Sequence, residues 1–105
     1  MLVTTTESIG GKTVKEVLGI VRGNTVRSRW FGSDIVAGLK NIVGGEITSY
    51  TKLLSSARDE ALQRMTEEAK AMHADAIVNV RFTIGEMMGG TATEILAYGT
   101  AVKLK

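Results

Sequence analysis

Apolar positions recur along this chain with two different periods, and the change of period divides it into elements. Beyond Gly45, the residues Ile47, Tyr50, Leu54, Ala57, Ala61, Met65, Ala69 and Met72 step by three or four. Lys52, Asp59, Glu60, Gln63, Arg64, Glu67 and Lys70 fill the opposite side. That spacing predicts one long amphipathic helix of about 26 residues, roughly 39 Å at 1.5 Å per residue. The alanines on its stripe permit close approach to whatever lies beneath. Glu60 with Arg64, and Arg64 with Glu68, stand at i,i+4, where an ion pair adds a few tenths of a kcal/mol at most. The period then shortens to two. Ala76, Val78, Val80, Phe82 and Ile84 alternate with Ile77, Asn79, Arg81 and Thr83, which predicts a half-buried strand. EMMGG supplies a turn, and TATEILAYGTAVKLK returns as the last strand. On that strand Leu96, Tyr98, Val102 and Leu104 share one face, and Ile95, Ala97 and Ala101 share the other.

The first half is less regular. LVTTT, residues 2–6, suits a short strand, and ESIGGKT follows with turn chemistry. Residues 13–21, TVKEVLGIV, predict a second strand, in which Gly19 suggests a bulge or a close backbone approach. Gly23-Asn24 predicts a turn or kink before TVRSRW. Ser33 can cap a short helix with Asp34 favourably placed against its dipole, and Ile35, Val36, Leu39, Ile42 and Val43 then form one helical face. Gly44 and Gly45 separate this short helix from the long one.

These layers bear on assembly. One long helix on a sheet of about four strands covers only one of its faces. The other face should then be polar, yet its pattern is substantially apolar. A second copy of the chain is the simplest cover, so a homo-oligomer is expected.

Composition narrows the classes further. The 105 residues make one domain, 1–105, and 44% apolar with 23% charged residues is an ordinary globular mixture. A net charge of +2 does not mark a nucleic-acid binder. The absence of cysteine removes disulfides, thiolate zinc sites, iron–sulfur clusters and cysteine nucleophiles. MLVTTTESIGGKT has neither a basic n-region nor an apolar h-region, and no apolar run reaches the ~20 residues of a spanning helix. A soluble cytoplasmic protein without a membrane partner is expected.

Four clusters could carry chemistry. A phosphate loop needs a Lys after its glycines, but Glu46 follows Gly45, so the double glycine reads as a corner between helices. His73, the only histidine, suits a left-handed cap at the end of the long helix. As a metal ligand it would draw on Met72, Asp75, Met87 or Met88; methionines favour Cu(I), and carboxylates Zn(II) or Ni(II). Capping is the favoured use. Met87 and Met88 could also form a mobile apolar knob. Arg22, Arg27 and Arg29 beside Trp30 and Phe31 combine cations with aromatics, as single-stranded nucleic acid would require. Trp and Arg also anchor subunit contacts, and that use is favoured over nucleic acid. No catalytic constellation is evident.

TTTESIGG near the start, VLGIVRG, DIVAGLKNIVGGEITSY, SSARDEAL, ADAIVNVRF and the terminal GTAVKL together resemble the YbjQ-like family, small bacterial proteins of unknown role that carry a heavy-metal-binding label. The resemblance runs over essentially all 105 residues. It implies an α+β, dodecin-subunit-like fold: a small antiparallel sheet covered on one face by a long helix plus a short helix. It also implies assembly as a ring-like homopentamer. Members usually carry glycine where this chain has His73, which agrees with a left-handed cap.

The expectation is therefore a non-enzymatic homo-oligomer of unknown physiological role, binding a divalent or soft metal ion or a small ligand at subunit interfaces. His73, Asp75 and Met72 are the metal candidates; Gly44, Gly45, Trp30, Asp34 and Arg58 are the structural and interface candidates. The alternative is an enzyme with an inter-subunit site around Asp34, Arg58 and His73.

Overall fold

The computed structural model describes residues 1–28, 45–90 and 92–105, with the side chains of 45–50 and 88 left aside. In chain order the elements are β1 (Leu2–Val3), β2 (Val14–Ser28), α1 (Gly45–Ala71), β3 (Ala76–Met87), a single turn at Met88–Gly90, and β4 (Ala92–Leu104). The strands form one sheet in the order β1-β3-β4-β2. β4 pairs antiparallel with both β3 and β2.

The sheet is mixed, which corrects the expected antiparallel one. Leu2 pairs with Ala76 and Val3 with Ile77 in parallel, and the Thr4 amide extends the ladder to the Ile77 carbonyl at 2.9 Å. A parallel pair needs a crossover of a dozen or more residues, and here β2 and α1 supply it. The expected short helix, with Trp30, Asp34 and Gly44, lies outside the described residues. Gly45 is the first residue of α1.

The helical stripe does what its spacing predicts. Ala57, Ala61, Met65 and Ala69 are fully buried, with Leu54, Leu62 and Met72 half-buried beside them. They rest on Val21, Ile77, Val80, Ile95, Ala97 and Ala101 of the sheet. The alanines let the helix backbone sink onto Gly23: a Cβ there would lie 2.3 Å from the Ala61 carbonyl oxygen and 2.4 Å from the Met65 nitrogen. Gly23-Asn24 is consequently no turn. β2 runs straight through it, and the glycine removes a side chain where a helix must pass. Gly19 does mark a bulge, with φ 137° and a register shift between Val17 and Gly19. Next to the stripe, the Thr25 hydroxyl, 1% exposed, donates to the Ala57 carbonyl at 3.0 Å.

Opposite residues in the ladder share a face. Ile95, Ala97 and Ala101 lie fully buried under the helix, as the alternation predicts. On the other face Ala76, Val78 and Val102 form a small second core, closed by Ile9 and Leu104. The rest of that face is open. Ile20 is 75% exposed, Val17 64% and Val26 49%, with Tyr98 also exposed.

Candidate functional site

The three metal candidates follow one another at and just beyond the end of α1. The His73 amide donates to the Lys70 carbonyl at 3.0 Å, and the Ala74 amide donates to the Ala69 carbonyl at 3.1 Å. This pair of bonds is a Schellman cap, with His73 at φ 60° in the left-handed position. Its imidazole is exposed. Met72 turns inward onto the core, 3.8 Å from where a Cβ on Gly19 would stand. The Asp75 carboxylate accepts from the Leu104 amide at 2.8 Å, and its own amide donates to the Val102 carbonyl at 2.9 Å. Asp75 thereby ties the start of β3 to the end of β4.

The more distant candidates do not join them. Met87 ends β3, twelve residues long, so at ~3.3 Å per residue it stands roughly 36 Å from Ala76. Arg58 is half-buried and donates to the Ser55 hydroxyl at 3.1 Å. About 20 Å of helix separates Arg58 from Ala71, so Arg58 and His73 share no site in one chain. Among the described residues, no group of three or more His, Asp or Glu side chains is placed to hold a metal.

The charged cluster on α1 is structural. Arg27 donates to Glu60 at 2.6 Å, and Arg64 donates to the other Glu60 oxygen and, at 2.6 Å, to the Asn24 carbonyl. The Glu60–Arg64 pair was expected from spacing. Among the described residues Arg64 does not pair with Glu68 but reaches back to the Asn24 carbonyl of β2. The hydrogen bond from Arg27, reinforced by the charges of Arg64 and Arg27, holds the Glu60 carboxyl below the usual range against a smaller opposing effect of desolvation. Arg27 is thus an ion-pair partner of Glu60. Arg29, Trp30 and Phe31 lie outside the described residues.

Sequence reasoning missed the anchoring of the N-terminal segment. Asn79 takes φ 55° where β3 shifts register against β4 between Val78 and Arg81. The Asn79 and Val80 amides then donate to the Thr6 and Thr4 carbonyls, both at 3.0 Å, and Arg81 donates to the Thr5 carbonyl at 2.8 Å. An asparagine inside an alternating strand was the only local sign. A shallow groove of about 300 Å³ runs along the outer side of α1 between Asp59, Leu62, Gln63, Thr66, Glu67 and Lys70, and none of the candidate residues lines it.

A family model described as "Putative heavy-metal-binding" matches residues 1–105. The chain belongs to the YbjQ-like family. It is 59% identical over 105 residues to a UPF0145 protein of Archaeoglobus fulgidus, covering 100% of this chain and 96% of that one. It is 52% identical over 105 residues to a UPF0145 protein of Thermosipho africanus, again covering 100% and 96%. Archaeal members extend the family beyond the bacteria that the resemblance implied. A crystal structure of a protein with unknown function from the DUF74 family of Pediococcus pentosaceus superposes with a TM-score of 0.68 at 18% identity. That likeness covers 100% of this chain and 98% of the other, and it establishes the shared fold. Among the described residues of one copy the heavy-metal description of the YbjQ-like family finds no fit: the chain has no cysteine, one Asp75 oxygen accepts from the Leu104 amide, and no group of three His, Asp or Glu side chains gathers around His73.

Proposed function

We propose that the chain works as a non-enzymatic homo-oligomer in the cytoplasm, in the ring of five copies that the family resemblance implies. In this reading the binding site, for a small ligand or a metal ion, lies at boundaries between copies. The observation that carries it is the half-covered sheet. Ile20, Val17 and Val26 are 75%, 64% and 49% exposed on a face whose other half is packed. Fully burying an exposed side chain of this kind is worth roughly 1.5–3 kcal/mol, and at these exposures about half to three-quarters of that is forfeited at each position. No helix among the described residues is long and apolar enough to cross a membrane.

Native mass spectrometry with a panel of metal ions and metabolites tests the proposal. It reports stoichiometry and bound mass together. A multiple of the chain mass that persists at micromolar concentration, with ligand retained only by the assembly, is the expected result. A stable monomer in that range overturns it.

A further inference from the structure

The chain carries two exposed apolar strips, and they are unlike. The first is the open face of β2, where Val17, Ile20 and Val26 are exposed and Arg22 stands between Ile20 and Val26. The second lies on the opposite face of the sheet, at its opposite margin. Phe82 pairs with Ala97 and Ile84 with Ile95, so both point to the side that α1 occupies. α1 lies over β2 and β4 rather than over this end of β3, and Phe82 and Ile84 remain 42% and 59% exposed. β1 pairs only with Ala76 and Ile77, so it does not cover them either.

Resting on the homo-oligomer reading above, we infer that these two strips bind each other, the β2 strip of one copy against the β3 strip of the next. Charge supports the match. Ile20 is followed two residues later by Arg22, and Ile84 two residues later by Glu86, on one face in each case. At about 6.7 Å per two residues the apolar and charged pairs form together. Neither the Arg22 nor the Glu86 side chain has a hydrogen bond or ion pair among the described residues. A strip meeting its own copy across a two-fold axis brings Arg22 towards Arg22, or Glu86 towards Glu86, and like charges set opposite each other are destabilising. Contact between unlike patches is head-to-tail, and copies so joined overlap like roof tiles until the series closes.

Complementation tests the inference. Ile20→Glu and Ile84→Glu each break one strip, and because both positions are exposed the fold survives, which circular dichroism checks. Each variant alone should lose association by at least about 100-fold. Mixed at high micromolar concentration, they should form a one-to-one dimer, since each supplies the strip that the other lacks. Arg22→Glu and Glu86→Arg should each weaken assembly several-fold and restore it when combined in one chain. If wild type is itself monomeric, the homo-oligomer reading fails. If wild type assembles but one Glu variant keeps its full size, or the mixture stays monomeric, the head-to-tail contact fails while the homo-oligomer stands.

Discussion

Gly23→Ala is the sharpest probe of how helix and sheet are joined. The added methyl would sit 2.3 Å from the Ala61 oxygen, 2.4 Å from the Met65 nitrogen and 2.7 Å from the Arg64 Cβ. Two of those atoms are helix backbone, so no side-chain rotation relieves the overlap. The helix must withdraw by about 1 Å, and a gap of that size forfeits up to half of each contact's dispersion energy along the stripe. Overpacking commonly costs ~1–3 kcal/mol, and the upper end applies here. For a domain of this size that is a fall in melting temperature of roughly 10–20 °C, measured by circular dichroism at matched protein concentration. Gly85→Ala is the control, because nothing lies within 4 Å of its added methyl, and its effect should stay within about 1 kcal/mol. A Gly23→Ala protein that melts with wild type, its helical signal unchanged, refutes the seating of α1 on Gly23.

Three further outcomes follow from the cap, the buried hydroxyl and the ion pair. His73→Gly should leave stability unchanged or raise it by up to about 1 kcal/mol, since glycine adopts the left-handed cap without penalty; a metal-dependent rise in melting temperature that disappears with the imidazole would instead make His73 a ligand. Thr25→Val keeps the side chain's volume but loses the bond to the Ala57 carbonyl, and urea titration should show a loss of about 1 kcal/mol. Glu60, held below its usual range in the folded state, contributes stability that is fully present above the unfolded carboxylate pKa and is lost as pH falls through the lower folded value. Wild type should therefore lose more stability than Glu60→Gln over that acidic window, and parallel curves would show the pair to be inert.

The long helix and the β3–β4 hairpin were legible because their determinants are local. Four small or flexible residues at Ala57, Ala61, Met65 and Ala69 fix both the period and the depth of docking, and His73 stands where such a helix must stop. The errors came where the cause is distant. Gly23 looked like punctuation, because nothing nearby in sequence says that Ala61 and Met65 will press on it. β1 looked antiparallel by default, since strand direction depends on the route taken by the chain between β1 and β3. Asp75 drew notice as a ligand beside His73, whereas its partner, the Leu104 amide, lies 29 residues away. Phe82 and Ile84 read as the buried side of an alternating strand, and whether that side is covered depends on where α1 comes to rest.

β2 is a 15-residue strand at the margin of its sheet. A long, flat margin recruits strands from other molecules and can seed cross-β stacking. Here the register slips twice near the start, between Val14 and Glu16 and between Val17 and Gly19. Further along, the Arg64 guanidinium already occupies the Asn24 carbonyl. As an ion pair on the surface, Arg64 with Glu60 adds little to folding, its side chain being 54% exposed. By claiming one backbone acceptor, it removes one of the peptide groups through which a neighbouring strand could pair with this margin. Removing Arg64 should therefore change how the protein behaves when concentrated before it changes how firmly the protein folds.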